Sequence, residues 1–243
     1  MNLDAFRDDM HTLAWDCDHI IEDDDVISMI IIMKDEKNPD GSPMQTLQDS
    51  MVCAAEAMLS LFARTGTLGR YDDLMTSWVH GRIRKVVKHA KKSKFDGLPS
   101  LLDEHGIPFG QSTCHGSSAL VLIPLHASTQ FEQWFRPIHR LKLQGYHAPL
   151  SQCCQSDDDH SRLVVTVNDD LHMSDGKSIA QFLHAVQVSI TDTDQDDYHQ
   201  WEHDGFRTYP MMGTPDDHEP VVIHDAGFTE IPANSLTASA MVI

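Results

Sequence analysis

Residues 163–185, LVVTVNDDLHMSDGKSIAQFLHA, limit what this chain can fold into more than any other stretch. The run from Leu163 to Val167 is apolar and rich in β-branched residues, the composition of a buried strand. Polar residues and one glycine follow, from Asn168 to Gly176, and predict a loop. Ile179, Phe182, Leu183, Val186 and Ile190 then recur at three- and four-residue spacing, which marks one apolar helix face. Lys177, Gln181 and His184 fall at i, i+4 and i+7 and form a second, polar stripe on the same helix. A strand, a Gly-containing turn and a helix opening with lysine make a candidate anion site. The unpaired N–H groups of the first turn and the lysine charge point at one place. Gly-Lys at a helix start is common in ordinary helices, and so is a lone helical histidine. The weight lies in the three polar residues together, directly after a buried strand.

Residues 221–243, VVIHDAGFTEIPANSLTASAMVI, read as a strand, an Asp225-Ala226-Gly227 turn and a second strand. With both stretches in view, the chain resembles the type-two peptidyl-tRNA hydrolase family. That family's pattern is a strand, then Met-x-x-Gly-Lys-x-x-x-Gln-x-x-His-Ala, then an Asp-Ala-Gly-x-Thr turn. The matches are Met173, Gly176, Lys177, Gln181, His184, Ala185, Asp225, Ala226, Gly227 and Thr229, over about the last third of the chain. The resemblance implies hydrolysis of the ester that joins a peptide to the 3′-terminal ribose of tRNA, with no metal and no cofactor. It implies Lys177, Asp225 and Thr229 as the catalytic set. Gly176, Gln181, His184 and Gly227 would contact the substrate.

Those residue types suit the chemistry on their own terms. Ester hydrolysis needs an activated water and a positive group where the carbonyl oxygen turns negative. Lys177 would stabilise that oxyanion or hold a terminal phosphate. Asp225 would orient or deprotonate the water, and Thr229 would position it or accept from the ribose. Gln181 and His184 would shape the pocket or contact the acceptor end. Lys177 precedes the apolar face, so its head group is expected to point off the core and to matter for turnover rather than for folding.

The rest of the chain pulls in two directions. Its 37 acids against 18 bases give a formal charge of −19, unusually acidic for a partner of RNA. Yet RIRKVVKHAKKSK gathers seven of those 18 bases with no acid among them. Arg82, Arg84, Lys85, Lys88, Lys91 and Lys92 are therefore candidate phosphate contacts, although charge runs are usually solvated faces. The opening of this segment is similar to one in the N-terminal extension of longer bacterial relatives. Cys17, Cys53, Cys114, Cys153 and Cys154 show no C-x-x-C spacing, so neither a disulfide framework nor a zinc knuckle is expected. Dense Asp and His in residues 151–161 and 191–197 lack ordered ligand spacing and read as a linker and an acidic loop. The first residues lack the layout of a secretory signal, and no apolar run approaches membrane-spanning length, so a cytoplasmic protein is expected.

Further strands are predicted over residues 26–33 and 119–125 and near Ile107, and helices over 46–64 and 71–78. A helix over 130–143, kinked or interrupted at Pro137, would carry Trp134 and Phe135. The predicted fold is α/β, in two small three-layer units, each with a mixed sheet of about four strands, as a fused pseudo-dimer would have. The expected divisions are an acidic segment 1–25, a unit 26–150 with the basic patch, a linker 151–161 and a catalytic unit 162–243. The protein would be a monomer with an internal pseudo-dimer, or a homodimer, with tRNA as its partner and no membrane. Aligning Asp40-Gly41 with Asp175-Gly176 sets Ser42 opposite Lys177 and Asp49 opposite His184, so the first unit would lack both the lysine and the imidazole.

Three departures from the family pattern stand out. Asp175 occupies a position often held by a second lysine, and Asp169 and Asp170 add negative charge to the same loop. Residues 208–219 leave little room for a helix the family usually has there. The alternative function is accordingly a non-catalytic member serving as a protein- or tRNA-interaction module.

Overall fold

The computed structural model describes residues 1–13, 28–37, 44–80, 83–114, 116–143, 161–225 and 230–243. The first unit comprises α1 (Asp4–Leu13), β1 (Ser28–Asp35), α2 (Leu47–Phe62), α3 (Asp72–His80), β2 (Arg84–Lys91), α4 (Lys92–Phe95), α5 (Leu98–Glu104), β3 (Phe109–Cys114), β4 (Ser117–Leu122), α6 (Arg136–His139) and β5 (Lys142–Leu143). The second comprises β6 (Leu163–Asn168), α7 (Asp175–Asp192), α8 (Gln195–His203), β7 (Thr208–Gly213), β8 (Val221–His224) and β9 (Leu236–Val242). The Asp40-Gly41 turn, the linker up to His160 and the Ala226–Thr229 part of the second motif lie outside the described residues.

The two units repeat one topology. The first sheet runs β3-β4-β1-β2-β5 and the second β8-β9-β6-β7, so four strands correspond in order. Of these four corresponding strands, the first two in each unit are parallel, and the last two form an antiparallel hairpin beside the first. A shared detail fixes the register between units. Trp78 Nε1 donates to Arg84 O at 3.3 Å, and Trp201 Nε1 donates to Arg207 O at 2.8 Å. With Arg84 and Arg207 equated, the strand pairing sets Ile31 against Val165, Val121 against Ala240, and Gly110 against Val221. Counting along the strand then sets Cys114 opposite Asp225, whereas the hairpin pairing, shifted by a bulge after Ile223, sets it opposite His224.

Both long helices start at a hydroxyl cap. Thr46 accepts from Asp49 N at 3.1 Å, and Ser174 accepts from Lys177 N at 3.3 Å. Equating the caps puts Asp49, Cys53 and Glu56 at the places of Lys177, Gln181 and His184. This corrects the alignment on Asp-Gly pairs, which paired Asp49 with His184. The caps are the truer anchor because they set where each helix begins.

Helix α2 rests on β3 and β4 of its own sheet and also on β7 of the other; α7 rests on β6, β8 and β9 and also on β2. The two helices touch each other between the sheets. Position explains composition: α2 has buried residues on all sides, including Leu47, Met51, Ala54, Ala57, Leu61 and Phe62. One hydrophobic cluster consequently spans both units, from Met29 and Leu120 to Val165 and Ala240. Helix α1 fastens them together. Its Phe6 stacks on Phe62 at 3.9 Å, while Arg7 lies over the Tyr198 ring and donates to Thr193 O at 3.2 Å. Burying a ring such as that of Phe6 contributes about 1.5–3 kcal/mol.

Three local expectations change. The helix foreseen over 130–143 is two 3-10 turns followed by α6, with Pro137 in the first turn of α6, where its missing N–H costs nothing. The acidic segment 191–197 is not a loop throughout: Asp194 caps α8 by accepting from Asp196 N and Asp197 N, each at 3.0 Å. Residues 214–220 join β7 to β8 without a helix, as their number suggested.

Gly110 sets the distance between α2 and β3. A Cβ placed there would lie 1.9 Å from the Ala57 carbonyl oxygen and 2.6 Å from Ser60 Oγ. Because the nearest obstacle is helix backbone, the helix itself would have to move. Gly110→Ala is expected to destabilise the protein by about 2–3 kcal/mol, read as a lower urea midpoint at unchanged slope; a midpoint equal to that of the parent would contradict the close approach.

Candidate active site

Helix α7 carries the predicted polar stripe to the hairpin of the second unit. Lys177 lies in its first turn, just after Asp175 and Gly176, both buried. The Lys177 ammonium donates to Asp225 Oδ1, and Gln181 Nε2 donates to the same oxygen at 2.9 Å. Thr237 Oγ1 lies 3.0 Å from both Gln181 Oε1 and the Ile223 carbonyl, which fixes the Gln181 amide between β9 and Asp225. The main chain of Asp225 is held as well: its N–H donates to Ser235 O at 3.0 Å, and its carbonyl accepts from Asn234 N at 2.7 Å. Asn234 makes this turn at φ 62°. Beside the helix start, Ser174 Oγ donates to Glu230 Oε1 at 2.7 Å.

The structure thus brings Lys177, Gln181 and Asp225 together from two segments far apart in sequence. The Lys177 head group leaves the apolar face as expected, but it is enclosed. Side-chain exposure at the ion pair is only 12% for Lys177 and 8% for Asp225. Removing one partner of such a pair leaves a poorly solvated charge and costs about 3–5 kcal/mol when burial is complete. Replacement of Lys177 should therefore lower stability as well as any activity, which revises the expectation from sequence. Asp175 does not project into the loop as a free negative charge; it is buried in the first helical turn. Gly227, Thr229 and Arg82 lie outside the described residues.

His184 continues the stripe one turn further along. Burial, then the charges of Lys85 and Lys177, push its pKa down to about 3, with Asp225 opposing weakly. Its imidazole is neutral at physiological pH, so it can accept or donate a hydrogen bond but not serve as a cationic acid.

Lys85, from the other unit, closes the line. Its ammonium donates to Gln187 Oε1 at 2.6 Å and lies 5.0 Å from the Trp78 ring centroid. Lys85 as a residue is only half-buried, yet its charged end faces the fully buried Gln187 and Trp78. Desolvation pulls its pKa down to about 7. Among the described residues, the bases of the segment do not all face one way. Lys88 donates to the carbonyls of His139 and Leu141 at 3.3 and 3.2 Å, and burial lowers its pKa. Arg84 is half-buried at the start of β2. Lys91 and Lys92 are exposed at the far end, with Lys92 3.6 Å from Glu36. Alternation along β2 sends Lys85 and Lys88 to opposite faces, which a count of charges does not register.

Sequence reasoning missed Thr237, Glu230 and Gln187. Thr237 sits in an apolar-looking strand, and Gln187 is one residue past the helix's apolar Val186; neither has a spacing that marks it. Asp216, Asp217 and His218 present ligand atoms within 4.8 Å of one another on the β7–β8 loop, but all three are exposed, and Asp216 Oδ1 already accepts from His218 N at 2.9 Å. No helix among the described residues is long and apolar enough to cross a membrane. No protein-family model, curated protein or solved structure matches the chain.

Lys85 predicts a pH signature. In the unfolded chain it binds a proton up to about its ordinary 10.5, in the folded one only up to about 7. Across that window the unfolded state holds the extra proton, so stability rises with pH and is lowest below 7. Lys85→Met should remove this rise and stabilise the protein near pH 6. Chemical denaturation at pH 6 to 10 measures it; equal pH slopes for parent and variant would contradict an enclosed ammonium.

Proposed function

We propose that the chain hydrolyses the ester of peptidyl-tRNA, with Lys177 and Asp225 at the reacting group. The observation that carries the reading is the meeting of these two residues, with Gln181, at the mouth of α7. They are the charged members of two separate motifs of the resembled family, and a lysine paired with an aspartate supplies the two groups that ester hydrolysis needs. The substrate carbonyl would take up donors of the Lys177 ammonium that Asp225 does not use, adding to the α7 N–H groups at the developing oxyanion. Asp225, relieved of part of that contact, would accept a proton from the attacking water. Gln181, anchored by Thr237, would keep the carboxylate in place while this exchange occurs. Thr229 is assigned to the water or the ribose on the resemblance alone. Exposed Lys91 and Lys92 remain candidates for phosphate contact, and tRNA recycling of this kind would take place in the cytoplasm.

One observation favours a second reading, a non-catalytic member acting as an interaction module. The ion pair is closed on itself, and the basic segment is divided between faces of a protein whose formal charge is −19.

Release of peptide from purified peptidyl-tRNA separates the two. The hydrolase reading expects catalytic turnover by the parent and a loss of roughly a hundredfold or more in Lys177→Ala. Asp225→Asn, which keeps an acceptor for both Lys177 and Gln181, should lose as much rate while melting closer to the parent. Absence of turnover by the folded parent would reject the hydrolase reading, and near-parental rates in both variants would reject the residue assignment.

A further inference from the structure

The first unit carries a recess that the candidate site does not use. It measures about 510 Å³ and is lined by His105, Glu132, Gln133 and Trp134. Two separate parts of the chain build it. Helix α5 ends at His105, and Gly106 at φ 62° turns the chain away, as a glycine past a helix end commonly does. From the other side come two 3-10 turns, Ala127–Phe131 and Gln133–Phe135, with Glu132 between them in extended conformation. Phe135 and Ile138 are buried and anchor this stretch to the core, while Trp134 stays half-buried at the surface. Trp134 stacks on His105, with ring centroids 5.4 Å apart and planes 24° from parallel. Phe135 stands steeply against it, 5.5 Å away, and fixes its orientation.

The lining suits a cation. An indole presents a negative face. Trp134 Nε1–H donates to Glu132 Oε2, which holds the carboxylate beside the ring, and Glu132 Oε1 has no partner among the described residues. Asp103 and Glu104, both exposed, immediately precede His105. No base lines the recess; Arg136 and Arg140, close in sequence, lie outside its lining. Phe131, next to Glu132, is 82% exposed and offers apolar surface to whatever covers this region. An aromatic wall with a fixed carboxylate at its edge matches a planar cation, which lays its face on the ring and turns in-plane N–H groups to the carboxylate. A guanidinium does both at once, whereas an ammonium has no flat face and is strongly hydrated. A nucleobase would stack too, but its phosphates would meet Glu132, Asp103 and Glu104 in a protein of formal charge −19.

We propose that this recess binds the guanidinium of an arginine in a basic segment of a partner protein, the methylene stem against the Trp134–His105 stack and the head group paired with Glu132 Oε1. The exposed Gln133 amide supplies a further acceptor. The recess stands apart from the hydrolase reading. Lys88 donates to the carbonyls of His139 and Leu141, while Lys85, on the opposite face of β2, donates to Gln187 of α7. The segment that holds Trp134 therefore packs on the face of the first sheet turned away from Lys177.

The test uses the full chain and two fluorescein-labelled peptides of equal charge, Gly-Ser repeats that carry either three arginines or three lysines, followed by anisotropy at about 0.1 M salt. Diffuse attraction to an acidic protein treats the two alike, so the difference between them reports the recess. The arginine peptide should bind about fivefold to tenfold more tightly. Trp134→Leu and Glu132→Gln should each bring it down to the lysine value, with little change for the lysine peptide. Because Glu132 is exposed, Glu132→Gln should melt as the parent does, so the pairing is tested even where Trp134→Leu disturbs the fold. Equal affinity of the parent for the two peptides would overturn the proposal, as would an undiminished preference for arginine in Glu132→Gln. Displacement of the arginine peptide by a single-stranded oligouridylate at lower concentration than by unlabelled peptide would overturn it as well, and would make the recess a base-stacking site.

Discussion

The structure depends on burying two helices between two sheets. Helix α2 meets sheet residues above and below, and α7 does the same from the other unit. Each keeps only a narrow, partly exposed stripe, so polar groups carried inward cost stability unless they find a partner inside. That requirement organises the molecule. On α2 it is met by making the helix nearly apolar and by near bonds for its polar groups: Cys53 donates to Ser112 O, and the Ser50 and Ser60 hydroxyls donate to Thr46 O and Ala57 O, while Glu56 is exposed and accepts from Ser112. On α7 it is met in two groups of contacts on either side of His184, Asp225 with Lys177 and Gln181, and Gln187 Oε1 with Lys85, while Gln187 Nε2 is left without a partner among the described residues.

Much of the fold was legible because period and composition report burial. The β-branched run at 163–167, the apolar spacing of 179–190 and the terminal hairpin all appear where they were expected, as does the repeat of strand, helix and hairpin. The central helices were recognised as helices but assigned a single apolar face. Their other faces are lined by Ala54, Ala57, Ala185, Ser178 and Ser189, small residues that a hydrophobic pattern ignores but that mark close packing on both sides. Asp194 was hidden for a related reason: an Asp-rich stretch looks like solvated loop until the position of one carboxylate at a helix start gives it a task.

At the site, legibility followed charge. Lys177 and Asp225 could be singled out because motifs carry them, and the structure pairs them. Thr237 could not, since a threonine at a buried strand position has no sequence mark until its hydroxyl is seen bridging Gln181 and Ile223. Lys85 was read as part of a basic surface, and only the strand's alternation turned it inward. Its enclosure links the units chemically: a cation from one lies against the helix that bears the candidate site of the other, and His184 senses it. Long-range charge on a neighbouring imidazole is worth most where water is excluded.

That enclosed polar line along α7 is the claim from which the site, the shared helix layer and the role of Lys85 all follow. Titration of the His184 imidazole by nuclear magnetic resonance in the intact chain reports on it directly. If the partly exposed ring is desolvated by its packing and flanked by the charges of Lys85 and Lys177, it stays neutral as pH falls and takes a proton only at about 3. An imidazole that titrates at its ordinary value of 6.5 would mean that water reaches α7, and the line would be an open surface stripe.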